Sequence, residues 1–573
     1  MTARTVIRGG TVVDGTGRAP KTADVLIEDG LVTEMGKVSA PGARVVDADG
    51  LYVTPGWVDV HTHYDGQVYW DPLMTPSSWH GATTAIMGNC GLGFAPARPD
   101  QHAALLEMMH LIEDIPLETL EAGVPWGWET FSEYLDCLDQ TPRAIDIGAL
   151  VPHGAVRTYL MGERGIEGEA SPEEIAAICR TIGEALDAGA VGCSANRNML
   201  KDAFVPGTKA SDEELLALSR AVGARDAILQ TSPASFYGKE EWSPWPAETD
   251  LLRRMSLAGK LRITFPVVED HQDPARWRRI MALIDEANEA GAKLIPQILA
   301  RPLNAIMSLA GRHPLERLPE FEKAAAGKGG TAEFAAKLRQ PEVREAILGQ
   351  ARALLAERAW VFDSMYRMTQ PLDYEPQLSS SLGAEAKRRG VPAMDLFYDE
   401  LTAGAGDTMF LMIAANYAEG DGGTVFDMIR HPASIMGLGD GGAHCLGLCD
   451  VTTPTTVMTQ WVRDRSRGPK LPIEEAVKCL AADTARAFGL YDRGVLAPGM
   501  RADINLIDLP KMRMGLPEFI TDLPGNGRRM VQKAEGYVAT FVRGEQILAN
   551  GVDQGARPGR TARRAPARQA VPA

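Results

Sequence analysis

The chain has 573 residues, of which 45% are hydrophobic, enough apolar material for one large catalytic domain and a smaller companion. The formal net charge of −16 argues against nucleic acid as a partner, because a phosphate backbone needs a concentrated basic surface. Seven scattered cysteines, with neither a long uncharged apolar run nor a signal-peptide pattern, predict a cytoplasmic protein that has no disulfide framework and no membrane partner.

Residues 1–54 show the pattern of a small antiparallel β module. Short apolar runs alternate with Asp-Gly and Gly-Gly pairs, and glycine supplies the positive φ that tight hairpin turns need. A similar pattern of short apolar runs and turn residues recurs over residues 486–550. Two β-rich segments that flank a long middle predict one sheet module assembled from both ends of the chain.

Residues 55–485 alternate short apolar runs with amphipathic helices, as in IDIGALVPHG followed by PEEIAAICRTIGEALDAG. This alternation predicts an α/β fold with a parallel sheet, and the length of the segment favours a (β/α)₈ barrel. An open doubly wound sheet stays the alternative. The stretch around residues 310–430 breaks the alternation, and we predict that it consists of insertions on the barrel.

The strongest chemical signal is the segment VDVHTH, in which an apolar run ends in His61 and His63. Residues i and i+2 of a strand project to the same face, so both imidazoles can converge on one ion. Barrel enzymes place their active sites at this carboxyl end of the strands. Two histidines on a solvated turn are the simpler alternative. Imidazole ligands make Zn²⁺ the default expectation for a divalent metal.

Two further apolar runs end in candidate groups. Cys90 follows ATTAIMGN and is either a zinc-ligating thiolate or a small buried hydrophobe in a turn. Asp440 lies in the glycine-rich turn LGDGGAH, where the missing side chains let a carboxylate approach an ion. Because the first and last strands of a barrel are neighbours, we expect Asp440 to reach a metal at His61 and His63.

The tail, residues 551–573, is the one clearly basic segment. Its sequence has almost nothing to bury, and we therefore expect it to be disordered. Nucleic-acid binding through this tail is the less favoured alternative.

Several motifs, in this order along the chain, are similar to the N-acyl-D-amino-acid deacylase branch of the amidohydrolase superfamily: RGGTVVDGTG, VTPGWVDVHTHYDG, GATTAIMGNCG, AVGCSANR and LGDGGAH. The resemblance covers nearly the whole chain. It implies a (β/α)₈ TIM-type barrel with a small β-sandwich built from both chain ends. It also implies hydrolysis of an amide by metal-activated water, with His61, His63 and Cys90 as metal ligands and Asp440 as ligand and general base.

The chain departs from the family pattern at two strand ends. The family places further metal-binding histidines on the fifth and sixth strands, whereas AILQTSPASFYG has none and RITFPVVEDHQDP has only His271, beyond an acidic pair. We therefore favour one ion over two, held by His61, His63 and Asp440 with Cys90 close by.

Four residues are candidates for substrate binding. His153 is predicted at the end of the third strand, where it either polarises the substrate carbonyl or supports a neighbouring group. Ser194 and Arg197 match the Ser-x-x-Arg position of the family, although Arg197 could equally pin a loop. His444, which ends LGDGGAH, is the fourth candidate.

The sequence thus predicts a metal-dependent hydrolase of a small amide, with an N-acyl amino acid as the first class of substrate. A cyclic-amide hydrolase of the hydantoinase or dihydroorotase kind is the alternative. Those relatives commonly use a carboxylated lysine after a middle strand, and no lysine ends GAVGCSAN. A barrel that binds its ligand without turnover is the second alternative. Association of the chain into a homo-oligomer is a further possibility.

Overall fold

The computed structural model describes residues 4–198, 205–234, 244–327, 329–448 and 450–564, without the side chains of residues 354–359. Five short strands open the chain: β1 Arg4–Val12, β2 Lys21–Glu28, β3 Leu31–Gly36, β4 Arg44–Asp47 and β5 Tyr52–Pro55. The β2–β3 turn is Asp29-Gly30, and both residues adopt the positive φ (53° and 79°) that a tight hairpin requires.

Seven parallel strands follow and curl into a barrel. They are β6 Trp57–Asp59, β7 Ala82–Met87, β8 Asp146–Pro152, β9 Gly192–Asn196, β10 Ile228–Ser232, β11 Arg262–Pro266 and β12 Leu294–Ile298. Each pairs in parallel with the next, and their residues are almost entirely buried. Continuous burial is typical of parallel sheets, because helices cover the outer face.

The helices that the described ranges place among these strands are α1 His102–Glu113, α2 Leu117–Gly123, α3 Phe131–Gln140, α4 His153–Met161, α5 Arg164–Glu167, α6 Pro172–Ala188, α7 Asp212–Gly223, α8 Trp245–Gly259 and α9 Arg276–Glu289. The signals for α6 are local. Ser171 and Glu174 form a reciprocal capping box at its start, and Gly189 ends it in a left-handed conformation. No helix within the described ranges has both the length and the apolar character needed to cross a membrane.

An insertion with its own core separates the seventh and eighth barrel strands. Strands β13 Leu303–Ser308, β14 Met365–Arg367 and β15 Met409–Ala415 form an antiparallel sheet. Its helices are α10 Pro319–Ala325, α11 Thr331–Leu338, α12 Pro341–Leu355, α13 Leu382–Arg389 and α14 Ala393–Leu401. A separate cluster of buried residues, including Phe321, Phe397 and Phe410, fills the space between them.

The eighth strand, β16 Ile435–Met436, pairs with β12, and the ring closes where Thr62 bridges in parallel to Gly441. Helices α15 Gly423–Ile429, α16 Thr453–Thr456, α17 Ile473–Val477 and α18 Thr484–Ala487 lie around it. The chain then returns to the first sheet. These strands are β17 Ile504–Ile507, β18 Arg513–Met514, β19 Glu518–Leu523, β20 Gly527–Val531, β21 Ala534–Glu535, β22 Tyr537–Val542, β23 Glu545–Ala549 and β24 Val552–Asp553.

Strand β17 pairs with both β5 and β22, so the two chain ends build one nine-stranded sheet. The predicted α/β fold class, a (β/α)₈ TIM-type barrel with a small β-sandwich domain built from both chain ends, is confirmed as a TIM-type barrel with an additional β domain.

The expectation of a disordered tail is wrong for residues 551–564. The backbone of Arg560 accepts a hydrogen bond from Ile147 N (3.1 Å), and Ala562 N donates to Ile147 O (2.8 Å), so this segment lies against β8. Gly559 permits the approach, since an added Cβ would come within 2.2 Å of Ile145 O. The prediction of disorder was based on side-chain composition. The segment is instead held by backbone hydrogen bonds, which do not depend on composition. Residues 565–573 lie outside the described ranges.

Candidate metal centre

Four predicted site residues meet at the carboxyl end of the barrel. His61 and His63 follow β6, Cys90 follows β7, and Asp440 follows β16, and these three strands are adjacent in the closed ring. One donor atom from each of His61, His63 and Cys90 lies within 4.8 Å of the other two. His61 Nε2 is 3.2 Å from Cys90 Sγ. The sequence therefore brings two imidazoles and a thiol to one point.

Gln297, on β12, fixes the orientation of His61. Its Oε1 lies 2.8 Å from His61 Nδ1, so this nitrogen donates a proton to the amide oxygen. The lone pair of His61 is then on Nε2, which faces Cys90. A hydrogen bond of this kind selects the tautomer that can bind a metal.

The backbone turn that carries Cys90 is held on both sides. Gln230, on β10, accepts a hydrogen bond from Cys90 N at 2.7 Å. Ser194, on β9, accepts one from Gly91 N at 3.1 Å and donates to Gly88 O. Cys90 itself has φ of +56°, a conformation that costs a non-glycine residue about 1–2 kcal/mol. Strain of this sort persists only where the surroundings enforce it.

Asp440 completes the cluster from the other side of the barrel seam. Its N donates to His61 O at 2.9 Å, and its Oδ1 lies 3.5 Å from His61 Nε2 and 3.8 Å from His63 Nε2. The flanking glycines are needed for this approach. A Cβ on Gly439 would stand 2.6 Å from the Asp59 carboxylate, and one on Gly441 would stand 2.7 Å from Tyr64 Oη.

Burial shifts the pKa values of the groups in this cluster. Burial raises the pKa of Asp440 well above its usual range, and the nearby charges of Asp450 and Asp59 raise it further. Burial also raises the pKa of the Cys90 thiol, and the charge of Glu113 adds to this. Burial lowers the pKa of His61 to about 4, which keeps the imidazole neutral and able to ligate.

The hydrogen bonding of His63 and the charge of the site also suit a divalent ion. His63 Nδ1 is buried and has no hydrogen-bond partner in the described part of the protein. Either ring nitrogen of His63 can therefore carry the lone pair that binds an ion. A divalent cation at this point would offset the cost of burying the thiolate and the carboxylate together. The residues present therefore fit a divalent metal.

Glu113, the last residue of α1, adds an acidic group that the motifs did not reveal. Its Oε2 lies 3.5 Å from His63 Nε2 and 3.6 Å from His444 Nε2, and its side chain is only 5% exposed. His444 N donates to Glu113 O at 2.5 Å, which ties the end of α1 to the Asp440 turn. The partly buried Asp59 also accepts a hydrogen bond from His61 N at 3.2 Å.

The four predicted substrate residues lie in different environments. His153, the first residue of α4, bonds Glu214 through Nε2 at 2.8 Å, deep in the barrel wall. Arg197 pairs with buried Glu248 at 2.8 Å. Ser194 supports the Cys90 turn from behind. His444 Nε2 lies 3.6 Å from Glu113 Oε2, which is itself 3.5 Å from His63 Nε2. Their roles toward substrate stay predictions.

The strand ends where the family has further histidines carry other residues here. Strand β10 ends at Ser232, and β11 ends at Pro266. His271 follows Asp270, whose backbone pairs with Ala415 of the insertion. Arg301 is fully buried and bonds Asp450 Oδ1 through Nε at 3.1 Å.

The sequence did contain a signal for two of the residues that were missed. Gln230 and Gln297 are polar residues inside the apolar runs AILQTS and LIPQIL, and a polar side chain in a buried barrel strand needs a partner at the barrel's end. Glu113 had no such signal, because it occupies an acidic pair on a helix more than 20 residues after Cys90.

Comparison with known proteins gives three kinds of match. The model of the family described as "Amidohydrolase family" matches residues 44–547. An uncharacterized protein of Mycobacterium tuberculosis is 28% identical over 96% of this chain and 92% of its own, and an N-acyl-D-glutamate deacylase of Alcaligenes xylosoxydans xylosoxydans is 28% identical over 88% and 87%. The crystal structure of an N-acyl-D-glutamate deacylase from Bordetella bronchiseptica, complexed with zinc and a phosphonate inhibitor, aligns with a TM-score of 0.64 at 24% identity over 98% of this chain and 100% of its own.

Proposed function

The chain belongs to the amidohydrolase family of hydrolases that act on carbon–nitrogen bonds other than peptide bonds, and on that premise we propose that it deacylates an N-acyl amino acid. His61, His63 and Cys90 hold the catalytic divalent ion, and Asp440 is the general base. The observation that carries this proposal is the convergence of their donor atoms at the carboxyl end of the barrel, with Asp440 Oδ1 3.5 Å from His61 Nε2.

The ion, when bound, polarises the amide carbonyl and lowers the pKa of water enough to supply a nucleophile near neutral pH. Asp440 Oδ1 takes the proton of the attacking water and delivers it to the leaving nitrogen, so that the amide carbon–nitrogen bond breaks to an acid and an amine. Positioned proton transfer of this kind contributes roughly 10²–10⁴-fold to a rate. Burial raises the pKa of the Asp440 carboxyl, which strengthens it as a proton acceptor.

The substrate class is supported by the relatives. The N-acyl-D-glutamate deacylase of Alcaligenes spans 88% of this chain, and it acts on an N-acyl D-amino acid by its name. N-Acyl D-amino acids are therefore the first substrates to test. Zn²⁺ is the proposed metal, since imidazole and thiol donors suit it and a zinc-bound deacylase shares the fold.

A reconstitution experiment tests the proposal. Metal-free protein is loaded with Zn²⁺, Co²⁺ or Mn²⁺ and assayed on N-acyl D-amino acids, N-acyl L-amino acids, hydantoins and dihydropyrimidines. We expect metal-dependent release of a free amino acid. Protein that binds no stoichiometric metal and cleaves no amide would refute the proposal. Cleavage of cyclic amides alone would replace the substrate class.

The role of Asp440 has its own test. Asp440→Asn should lower kcat by roughly 10²–10⁴-fold, because the amide cannot take the proton, and it should preserve the fold. The matched control is Asp49→Asn, on an exposed turn of the first sheet, which should leave kcat unchanged. Wild-type kcat in Asp440→Asn would remove this residue as the base.

A further inference from the structure

A cavity of about 280 Å³ lies between helices α1 and α4, beside the proposed metal site. Its volume approaches that of sites that bind small molecules, roughly 300–1,000 Å³. Apolar side chains form most of its wall, among them Leu92, Leu105, Met108, Met109 and Ala155. The proposed metal ligands and Asp440 do not belong to this wall, so the hydrolytic step alone does not account for the cavity.

One face of α1 runs from the metal cluster into this cavity. Glu113 Oε2 lies 3.5 Å from His63 Nε2. Met109 and Leu105, which line the cavity, precede Glu113 by one and two steps of four residues, so all three lie on the same face of the helix. With a rise of about 1.5 Å per residue, the cavity begins about 6 Å from Glu113 and extends to Gln101, about 18 Å away.

The Cys90 turn borders the cavity from the other side. Gly91, which lines the cavity, directly follows Cys90. Its backbone packs closely on Gly154, the second residue of α4, because a Cβ added to Gly154 would come within 2.5 Å of Gly91 O. Two glycines thus keep the boundary between the cavity and the metal site free of side chains.

The opposite end of the cavity is acidic and opens to solvent. Ile166 of α5 is 38% exposed there, and the carboxylates of Asp100 and Glu163 are exposed beside it. Gln101 donates a hydrogen bond to Thr158 O at 2.8 Å, so its amide is already bound within the wall. An apolar chain suits this lining, whereas a chain that ends in a carboxylate would be repelled by the two acidic groups.

From these observations we propose that the cavity binds the acyl chain of the amide substrate and selects uncharged chains of medium length. A water molecule takes about 30 Å³ in the liquid and a methylene is of similar size, so the cavity has room for roughly nine chain atoms. The inference rests on the proposed function, because the chain enters the cavity while its carbonyl is held at the metal. The name of the deacylase relative specifies an amino acid and leaves the acyl group open.

A chain-length series tests the proposal. Full-length Zn²⁺-loaded protein is assayed on the N-acetyl, N-butanoyl, N-hexanoyl, N-octanoyl and N-decanoyl derivatives of one D-amino acid. Each added methylene should raise kcat/KM by about 4-fold, which corresponds to about 0.8 kcal/mol, until the cavity is full near ten carbons. The N-adipoyl derivative matches hexanoyl in length but ends in a carboxylate, and it should react more slowly than hexanoyl. Equal kcat/KM for acetyl and octanoyl would overturn the proposal.

A variant that fills the cavity sharpens this test. Ala104→Phe places a ring at the rim of the cavity and should lower the ratio of octanoyl to acetyl kcat/KM at least 10-fold. The matched control is Ala103→Phe, at an exposed neighbouring position of α1 outside the wall, which should keep the wild-type ratio. A wild-type ratio in Ala104→Phe would also overturn the proposal. If this variant fails to fold by circular dichroism, the wild-type series decides.

Binding of octanamide to metal-free protein separates this inference from the proposed function, since it requires no turnover. Calorimetry should show binding to the wild type and to Ala103→Phe, and at least 10-fold weaker binding to Ala104→Phe. Protein that cleaves no amide but binds octanamide in this way refutes the function and retains the chain-binding cavity. Protein that binds no octanamide refutes the cavity. Octanamide binding without any preference for long acyl chains would assign the cavity to another apolar ligand and overturn the proposal.

Discussion

Gln297 and Gln230 each make one hydrogen bond to a residue of the proposed metal site. Gln297 Oε1 holds His61 Nδ1 at 2.8 Å, and Gln230 Oε1 holds Cys90 N at 2.7 Å. Both lie inside barrel strands, where rigid backbone sets their position. The proposed ligand atoms are therefore aligned before an ion binds. This alignment reduces the entropy that is lost on binding.

Replacement of Gln297 should weaken metal binding without unfolding the barrel. Gln297→Leu removes the acceptor that fixes the His61 tautomer, and we expect a 10–100-fold loss of Zn²⁺ affinity, in the range that partners of metal ligands typically show. Competition with a chromogenic chelator measures this constant. Gln297→Glu keeps an acceptor at the same point and should restore most of the affinity. Equal affinities in all three proteins would contradict the positioning role.

The extent to which the cluster could be predicted follows from where each residue lies. His61, Cys90 and Asp440 follow apolar runs, and the barrel architecture brings such strand ends together. Glu113 reaches the same point from a helix, and its approach depends on the packing of α1 against the Asp440 turn. Neither the hydrophobic periodicity of the sequence nor the spacing of its motifs predicts how α1 packs against this turn.

At the scale of elements, Asp146 joins three parts of the chain. It is the first residue of β8 and is buried. Its Oδ2 accepts hydrogen bonds from Arg493 (2.8 Å) and from Arg501 (2.5 Å), which precede β17. Its Oδ1 accepts one from Arg560 N (2.8 Å). One carboxylate thus links the barrel, the nine-stranded sheet and the C-terminal segment.

Asp146→Asn should destabilise the protein by roughly 3–5 kcal/mol at pH 7, because it leaves buried guanidinium groups without their charge partner. Burial alone would raise the pKa of Asp146, but Arg493 and Arg501 outweigh it and lower the pKa from 3.8 to about 2. The stabilisation is therefore complete above pH 3.8 and is lost as the pH falls toward 2. Denaturant unfolding at pH 7 and pH 3 should show the difference between wild type and variant shrinking.

The control for this substitution is Asp187→Asn, which breaks an exposed pair with Arg225 and should cost less than about 1 kcal/mol. A loss in Asp146→Asn no larger than that of the control, or one that does not change with pH, would show that the junction contributes little.

The elements themselves were predictable to different degrees. Hairpins with Asp-Gly turns and barrel strands followed by capped helices carry local signals, and the structure has them. The insertion was predicted as a segment but not helix by helix, because its helices pack on a core of their own rather than on the barrel. The C-terminal segment was misassigned because the hydrogen bonds that hold it to Ile147 are backbone interactions, which composition does not record.

At the scale of the molecule, the proposed metal site lies at the seam of the barrel, where the first and last barrel strands meet. His61 and His63 follow the first barrel strand, Asp440 follows the last, and backbone hydrogen bonds between Asp440 N and His61 O and between His63 N and Gly441 O close the ring. The last strand, β16, has only two residues, so little sheet pairing supports this closure. An ion bound by residues on both sides of the seam would cross-link the first and last barrel strands, where the β-sheet pairing is shortest.

Metal removal should therefore lower the stability of the whole barrel. Binding to the folded state alone stabilises by RT ln(1 + [L]/Kd), which is about 1.4 kcal/mol for each tenfold rise in free Zn²⁺ above Kd. We expect Tm to rise steadily with buffered free Zn²⁺. Calorimetric scans measure the slope. Cys90→Ser replaces the thiol by a neutral hydroxyl, a poorer zinc ligand, so its rise should begin at higher free Zn²⁺.

Two further proteins make this result decisive. Asp146→Asn should start from a lower Tm and keep the wild-type dependence on Zn²⁺, because its junction lies at the amino end of β8, away from the seam. Cys137→Ser, a half-buried thiol of α3, should match the wild type. A Tm that does not depend on free Zn²⁺ would mean that the ion leaves the closure of the barrel unchanged, and loss of the dependence in Asp146→Asn would mean that the junction and the seam act as one unit.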